Sequence, residues 1–130
     1  MVELAARGGS VNLKTLAERQ GVSPNYLEQI VAELKKNKLV VAKRGASGGY
    51  ALSRPPEDIS AGDVLRALEG NLSPVACIDF EDGGEDAACG AGDCRFCRTK
   101  SVWSRLRDSV NEAVDSVSLR DLADGGTKDE

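Results

Sequence analysis

Gly21-Val22-Ser23-Pro24-Asn25-Tyr26-Leu27-Glu28-Gln29-Ile30 is the stretch on which the fold turns. Glycine adopts a left-handed backbone at little cost, so it ends helices. Serine before proline starts one, because the hydroxyl caps free N–H groups and the ring presets the first helical φ. The decapeptide therefore predicts a helix ending at Gly21, a tight turn, and a second helix from Ser23. Upstream, Asn12 is a cap, and Leu13, Leu16 and Ala17 share one helical face. Ala17 is small where two helices must cross closely. Downstream, Tyr26, Leu27, Ile30, Val31 and Leu34 keep helical spacing up to Lys35-Lys36-Asn37-Lys38, and cations suit a helix C-terminus.

Beyond Lys38 the period changes. Leu39-Val40-Val41-Ala42 is short and β-branched, Gly45–Gly49 is a turn, Tyr50-Ala51-Leu52 is a second strand, and Pro55-Pro56 closes the hairpin. Before the decapeptide, Met1–Arg7 reads as the end of a helix broken at Gly8-Gly9-Ser10. After the hairpin, Ser60 and Asp63 form a capping-box signature, with Ile59 stapled to Val64, opening a helix to Glu69. Residues 71–98 show no period and are rich in Gly and Asp. A helix returns from Thr99 to Ser116, with Trp103, Leu106, Val110, Ala113 and Val117 at heptad spacing. Ser118–Leu122 is a last short turn, and Gly125–Glu130 a frayed polar tail. Helix, glycine turn, helix, hairpin is the winged helix-turn-helix order: a mainly α fold with a small β-hairpin.

The chain has 130 residues, 41% of them apolar and 29% charged, which is enough to bury one small core. No apolar run reaches the roughly 18 residues of a membrane helix, and no secretory leader opens the chain, so a cytoplasmic protein is expected. Histidine is absent, which excludes His-dependent triads and mixed Cys/His zinc sites. No general base, nucleophile pair or phosphate loop suggests an enzyme. The net charge of −4 conceals a division: residues 1–56 carry 9 Lys/Arg against 4 Asp/Glu, and residues 57–130 carry 8 against 17. A basic half joined to an acidic one points to a nucleic-acid module, although charges alone also suit a solvated face.

The predicted exposed positions of the second helix are Ser23, Asn25, Tyr26, Glu28 and Gln29, polar groups able to read base edges in a major groove. Arg44 stands at the base of the loop holding Ser47, where a wing inserts a guanidinium into a narrow minor groove. Lys35, Lys36, Lys38, Lys43 and Arg54 are phosphate-contact candidates. A winged helix that binds only protein is the competing reading.

All four cysteines, Cys77, Cys89, Cys94 and Cys97, lie within 21 residues. In a reducing compartment that clustering favours metal or redox chemistry over a disulfide framework. A four-thiolate zinc site, a thiol switch such as Cys94 with Cys97, and an iron–sulfur centre all fit these ligands.

The opening decapeptide, together with Leu34-Lys35-Lys36-Asn37-Lys38-Leu39-Val40, Arg44-Gly45-Ala46-Ser47-Gly48-Gly49-Tyr50-Ala51-Leu52 and Val64-Leu65-Arg66-Ala67-Leu68-Glu69-Gly70, resembles the Rrf-type bacterial transcription regulators. Branches of that family govern iron–sulfur assembly, respond to nitric oxide, or control cysteine metabolism. The resemblance implies that the Tyr26-Leu27-Glu28-Gln29 helix enters the major groove and the wing the minor groove, with Glu28 and Arg44 foremost and Ser23 and Asn25 beside Glu28. It implies a homodimer formed through the Trp103 helix, at Trp103, Leu106, Val110, Ala113 and Val117, on a palindromic double-stranded operator.

The family's sensors place three cysteines before that helix, the last one six residues ahead of its tryptophan; Cys77, Cys89 and Cys97 match, and Cys94 is an addition. A histidine ligand three residues after the last cysteine is replaced by Lys100, which is protonated and a poor ligand. Cys94, a carboxylate such as Asp93, or a group of the partner subunit then becomes the fourth ligand of an iron–sulfur cluster, 2Fe-2S or 4Fe-4S. The cysteine-metabolism branch implies the alternative, a cluster-free regulator sensing a thiol redox change, a metabolite or a protein partner.

On this resemblance, residues 1–58 form the winged DNA-binding domain, 59–98 a connecting helix and cysteine-rich sensing loop, 99–124 a dimerisation helix and 125–130 a flexible tail. Family members carry further residues before the position of Met1, some of them basic and touching DNA. The first helix is therefore expected to be cut short, whether the chain is a fragment, has a misassigned start or is naturally short. The expected function is a DNA-binding repressor that senses iron–sulfur, redox or nitric oxide status.

Overall fold

The computed structural model describes residues 1–79 and 97–125. They belong to two compact units, one made of Met1–Gly70 with the chain from Val114 onward, the other of Asn71–Ala113. Cys89, Asp93 and Cys94, and the tail 126–130, lie outside the described residues. The structure is mainly helical with one antiparallel hairpin, as the sequence predicts. Among the described residues, no helix is long and apolar enough to cross a membrane.

The helices α1 (Val2–Arg7), α2 (Leu13–Gln20) and α3 (Pro24–Lys36) follow the punctuation read from the sequence. The Asn12 side chain accepts from the Lys14 N–H at 2.8 Å and starts α2. Gly21 ends it at φ 65°, ψ 30°, the left-handed geometry that costs a side-chain-bearing residue about 1–2 kcal/mol. Ser23 caps α3 through its hydroxyl, which accepts from the Tyr26 N–H at 3.2 Å. Ala17, 1% exposed, lies on the buried face of α2. Glu3 ties α1 to α2, accepting from Arg7 Nε at 2.7 Å and from an Arg19 η-nitrogen at 3.0 Å. The Arg7 hydrogen bond, with Arg19 beside it, holds the Glu3 carboxyl below the usual range.

The hairpin pairs β1 (Val40–Lys43) with β2 (Gly49–Leu52), Val40 opposite Leu52 and Lys43 opposite Gly49. β1 begins one residue later than the apolar run suggests. Leu39 still belongs to the exit turn of α3: its N–H donates to the Leu34 carbonyl at 2.9 Å, and Lys38 before it has φ 59°. A third edge, absent from the sequence reading, comes from Val11, which exchanges two 2.9 Å backbone hydrogen bonds with Tyr50. The approach is close enough that a Cβ on Gly49 would lie 2.2 Å from the Val11 carbonyl oxygen.

α4 (Ala61–Glu69) opens with the predicted capping box, Asp63 N–H to Ser60 Oγ at 3.0 Å and Ser60 N–H to Asp63 Oδ2 at 3.1 Å. Ile59 is fully buried, with Val64 packed against the same core. α5 (Lys100–Asp115) matches the predicted helix to within a residue at each end. The stretch expected as a last turn is instead α6 (Leu119–Ala123), with its own capping box of Ser118 and Asp121. The chain reaches it by a bridge: Ala61 N–H donates to the Val117 carbonyl and Leu119 N–H to the Ile59 carbonyl, both at 2.8 Å. Leu119, 2% exposed, joins Leu4, Leu16, Val31, Leu34, Val40 and Ile59 in one core. Full burial of such a side chain contributes about 1.5–3 kcal/mol. Arg66 reaches from α4 to Asp115 at the end of α5.

In the second unit, a single 3-10 turn, Ala76–Ile78, buries Ile78, and Arg107 of α5 donates to the Ile78 carbonyl at 3.0 Å. The Ser73 hydroxyl donates to Asp79 and, with Asn71 and Arg107, holds that carboxyl below its ordinary range.

Candidate nucleic-acid interface and cysteine segment

Helical periodicity divides α3 into two faces. Val31 and Leu34 are buried, and Leu27 and Ile30 are half-buried against the core. Ser23, Asn25, Tyr26, Glu28 and Gln29 are all exposed, Tyr26 at 56%. Asn25 lies three and four residues from Glu28 and Gln29, so the three side chains neighbour one another on the helix surface. Glu28 makes no ion pair among the described residues, which leaves its carboxylate able to accept from a cytosine amino group. Ser23 spends an acceptor site on capping and keeps its hydroxyl proton for another partner.

The wing loop carries Arg44 and Ser47, both exposed. Gly48 N–H closes the loop on the Gly45 carbonyl at 2.9 Å. The Ser10 hydroxyl donates to the Ser47 carbonyl at 2.7 Å, so the segment between α1 and α2 holds the loop as well as β2. Ser10 and Val11 were missed in the sequence. Nothing in Gly8-Gly9-Ser10-Val11 identifies them, because their role depends on a strand some 40 residues away.

Lys35, Lys36, Lys38, Lys43 and Arg54 are exposed. Lys36 lies 3.8 Å from Glu33 and Arg54 3.7 Å from Asp63, so Arg54 is partly engaged by a carboxylate of its own chain. Exposed pairs of this length are worth under about 1 kcal/mol and yield readily to a phosphate. Among the described residues, Lys35, Lys38, Lys43 and Arg44 have no ion pair.

Cys77 sits in the Ala76–Ile78 turn and Cys97 just ahead of α5, both half-buried. The Cys97 sulfur lies 3.3 Å from the Thr99 hydroxyl. With Cys89 and Cys94 outside the described residues, two of the four predicted ligands have a described place, both in the second unit. Among the described residues, no three His, Cys, Asp or Glu side chains are gathered to hold a metal.

On α5, Leu106 and Val110 are 45% and 37% exposed, Ala113 is exposed, and Trp103 is half-buried. Val102, 62% exposed, extends the stripe one turn ahead of Leu106. The sequence seam passed over it because it stands outside the strict three–four spacing. Val117 lies past the end of α5, half-buried, where its carbonyl serves the bridge to Ala61.

A family model, Rrf2, described as an iron-dependent transcriptional regulator, matches residues 1–125. The transcriptional regulator CymR of Bacillus subtilis is 39% identical over 125 residues, covering 95% of this chain and 80% of that protein. Among solved structures, CymR, the global cysteine regulator of B. subtilis, matches with a TM-score of 0.73 and 41% identity, over 97% of this chain and 88% of the other. The IscR structure from T. potens matches with a TM-score of 0.70 and 42% identity, over 95% and 77%. These relatives are transcription regulators and not enzymes.

Proposed function

The chain belongs to the Rrf2 family of transcriptional regulators, and from that premise we propose that it is a cytoplasmic, dimeric DNA-binding repressor whose cysteines sense iron–sulfur, redox or nitric oxide status. One observation carries the DNA-reading half: the polar side chains of α3 are exposed together, on the unit whose wing is fastened by Ser10 and Val11. Asn25, Glu28 and Gln29, flanked by Ser23 and Tyr26, read base edges in the major groove. Arg44 and Ser47 enter the minor groove, and Lys35, Lys38 and Lys43 neutralise phosphates. The stripe of Trp103, Leu106, Val110 and Ala113, extended by Val102 and followed by Val117, joins two copies and sets two recognition helices about one turn of a palindromic operator apart.

Cys77, Cys89 and Cys97, with Cys94 as the fourth ligand, would hold an iron–sulfur cluster. The half-buried places of Cys77 and Cys97 suit thiolates that iron and sulfide must reach. When bound, such a cluster supplies a group that oxidants and nitric oxide attack. The chain's part is to link the cysteines before α5, so that gain or loss of the shared ligand favours one arrangement of the dimer over another. A second reading is supported by the likeness to the global cysteine regulator CymR: a cluster-free regulator in which the thiols, a metabolite or a protein partner carry the signal.

Purification without oxygen, followed by absorption spectra, iron and sulfide analysis and titration with an operator duplex, separates the two. A coloured protein whose iron and sulfide fall in Cys77→Ser and Cys94→Ser supports the cluster. A colourless, iron-free protein that still binds the duplex supports the second reading. Failure to bind DNA in either form overturns both.

A further inference from the structure

In the first unit lies an open cavity of about 440 Å³, lined by the C-terminal end of α1, both strands of the hairpin and the start of α6. Among the described residues, its wall carries four cations, Arg7, Lys43, Arg54 and Arg120, and no acidic side chain, with Ala51 and Leu52 among its apolar lining. The three guanidinium groups each have a carboxylate partner outside the wall, and each keeps N–H donors free of it. Among the described residues, Arg7 meets Glu3 through its Nε–H. Arg54 and Arg120 stand 3.7 and 3.6 Å from Asp63 and Glu57, beyond hydrogen-bond length. Lys43 has no ion pair among the described residues. The N–H donors these pairs leave over, together with the unpaired Lys43 ammonium, attract an anion placed between them.

We propose that this cavity binds a small organic anion, a carboxylate with a short apolar body, and that the bound anion weakens DNA binding. Guanidinium groups take carboxylates through paired N–H donors, and Ala51 and Leu52 accept the apolar body. The volume lies within the range of small-molecule sites. Inorganic phosphate satisfies the cations and leaves the apolar lining unused.

The same segments that wall the cavity hold the wing. Lys43 directly precedes Arg44, and the chain after α1 supplies Ser10, which holds the Ser47 carbonyl, and Val11, which pairs with Tyr50. A bound anion neutralises Lys43, a phosphate-contact residue, and draws its side chain toward the cavity. Affinity for a duplex therefore falls, and by reciprocity duplex binding expels the anion. This coupling rests on the DNA-binding reading; occupation of the cavity does not.

The test uses the full chain without DNA first. Thermal unfolding is followed with added butyrate, succinate or inorganic phosphate, each against sodium chloride of equal ionic strength. Butyrate or succinate is expected to raise Tm by about 5 °C at a tenfold excess over Kd. Lys43→Gln and Arg120→Gln, which remove exposed charges and no core contact, are expected to abolish the shift while keeping their own Tm near that of the parent. No shift beyond the chloride control, or an equal shift in both variants, overturns the site, and a shift with phosphate alone overturns its carboxylate specificity. Operator titration then follows, where the effective carboxylate is expected to weaken binding about fivefold or more. Unchanged affinity overturns the coupling. If the parent chain binds no anion and Arg120→Gln, at a residue outside the proposed DNA contacts, still lowers operator affinity and salt dependence, the four cations are an extension of the DNA-contact surface and the cavity proposal fails.

Discussion

The winged unit and the α5 stripe both contain apolar residues at helical spacing, yet they treat them differently. In the winged unit the periodic residues close on one another: Leu16, Val31 and Leu34 are nearly inaccessible, and Leu119 returns from far along the chain to complete the same core. On α5 Trp103 is half-buried, while Val102, Leu106 and Val110 stay in water, all more than a third exposed. The same pattern thus means two things. In the first case the chain satisfies it internally. In the second it remains available to another surface, which the proposed dimer supplies.

Substitutions can break that comparison. The largest effect is expected at Leu119: Leu119→Ala should cost about 2–5 kcal/mol of stability in urea unfolding, whereas Leu106→Ala should cost the isolated chain far less. Equal losses at the two positions would show that α5 is core and not interface. Next comes Val110→Glu, which should leave the winged unit folded but yield monomers in sedimentation, with operator affinity falling about 100-fold or more as the two half-sites uncouple. A dimer that survives this change would remove the stripe from the interface.

Smaller effects sharpen the division of labour within the winged unit. Arg44→Ala should weaken operator binding by about 1–3 kcal/mol and relax the sequence preference at one position. Lys35→Ala should instead weaken all duplexes alike and lower the salt slope by about 1. The smallest effect concerns acid. The carboxyls of Glu3 and Asp121 titrate below their ordinary values, held by Arg7 and by Ser118 respectively. Both favour the folded state above the unfolded carboxylate pKa, and both lose that contribution as pH falls through the folded value. Stability should therefore decline in the acid range below the ordinary carboxylate pKa, and Ser118→Ala should flatten the Asp121 part of that decline.

The legible parts of this molecule are those governed by neighbours in sequence. Asn12, Gly21, Ser23-Pro24 and the Ser60–Asp63 box act within four residues of themselves, so the helix ends could be read directly. The exposed face of α3 followed from its period, and so did the DNA-contact candidates. The less legible parts depend on distant partners. The Leu39 displacement reflects a helix exit closing on Leu34, the Val11 edge needs Tyr50, and the fate of Val117 was decided by Ala61. Cys77 and Cys97 could be named from spacing, but spacing could not state their half-buried surroundings.

The sequence by itself determined the helix-turn-helix, the hairpin and the basic charge of the first half, because caps, glycines and hydrophobic periods act locally and charge is a sum. Only the tertiary structure decided that a five-residue C-terminal helix completes the winged core, that Ser10 and Val11 hold the wing, and that four cations scattered from Arg7 to Arg120 face one cavity. Such features require residues far apart in the chain to be brought together, and burial and electrostatic attraction depend on that convergence, to which local pattern is blind.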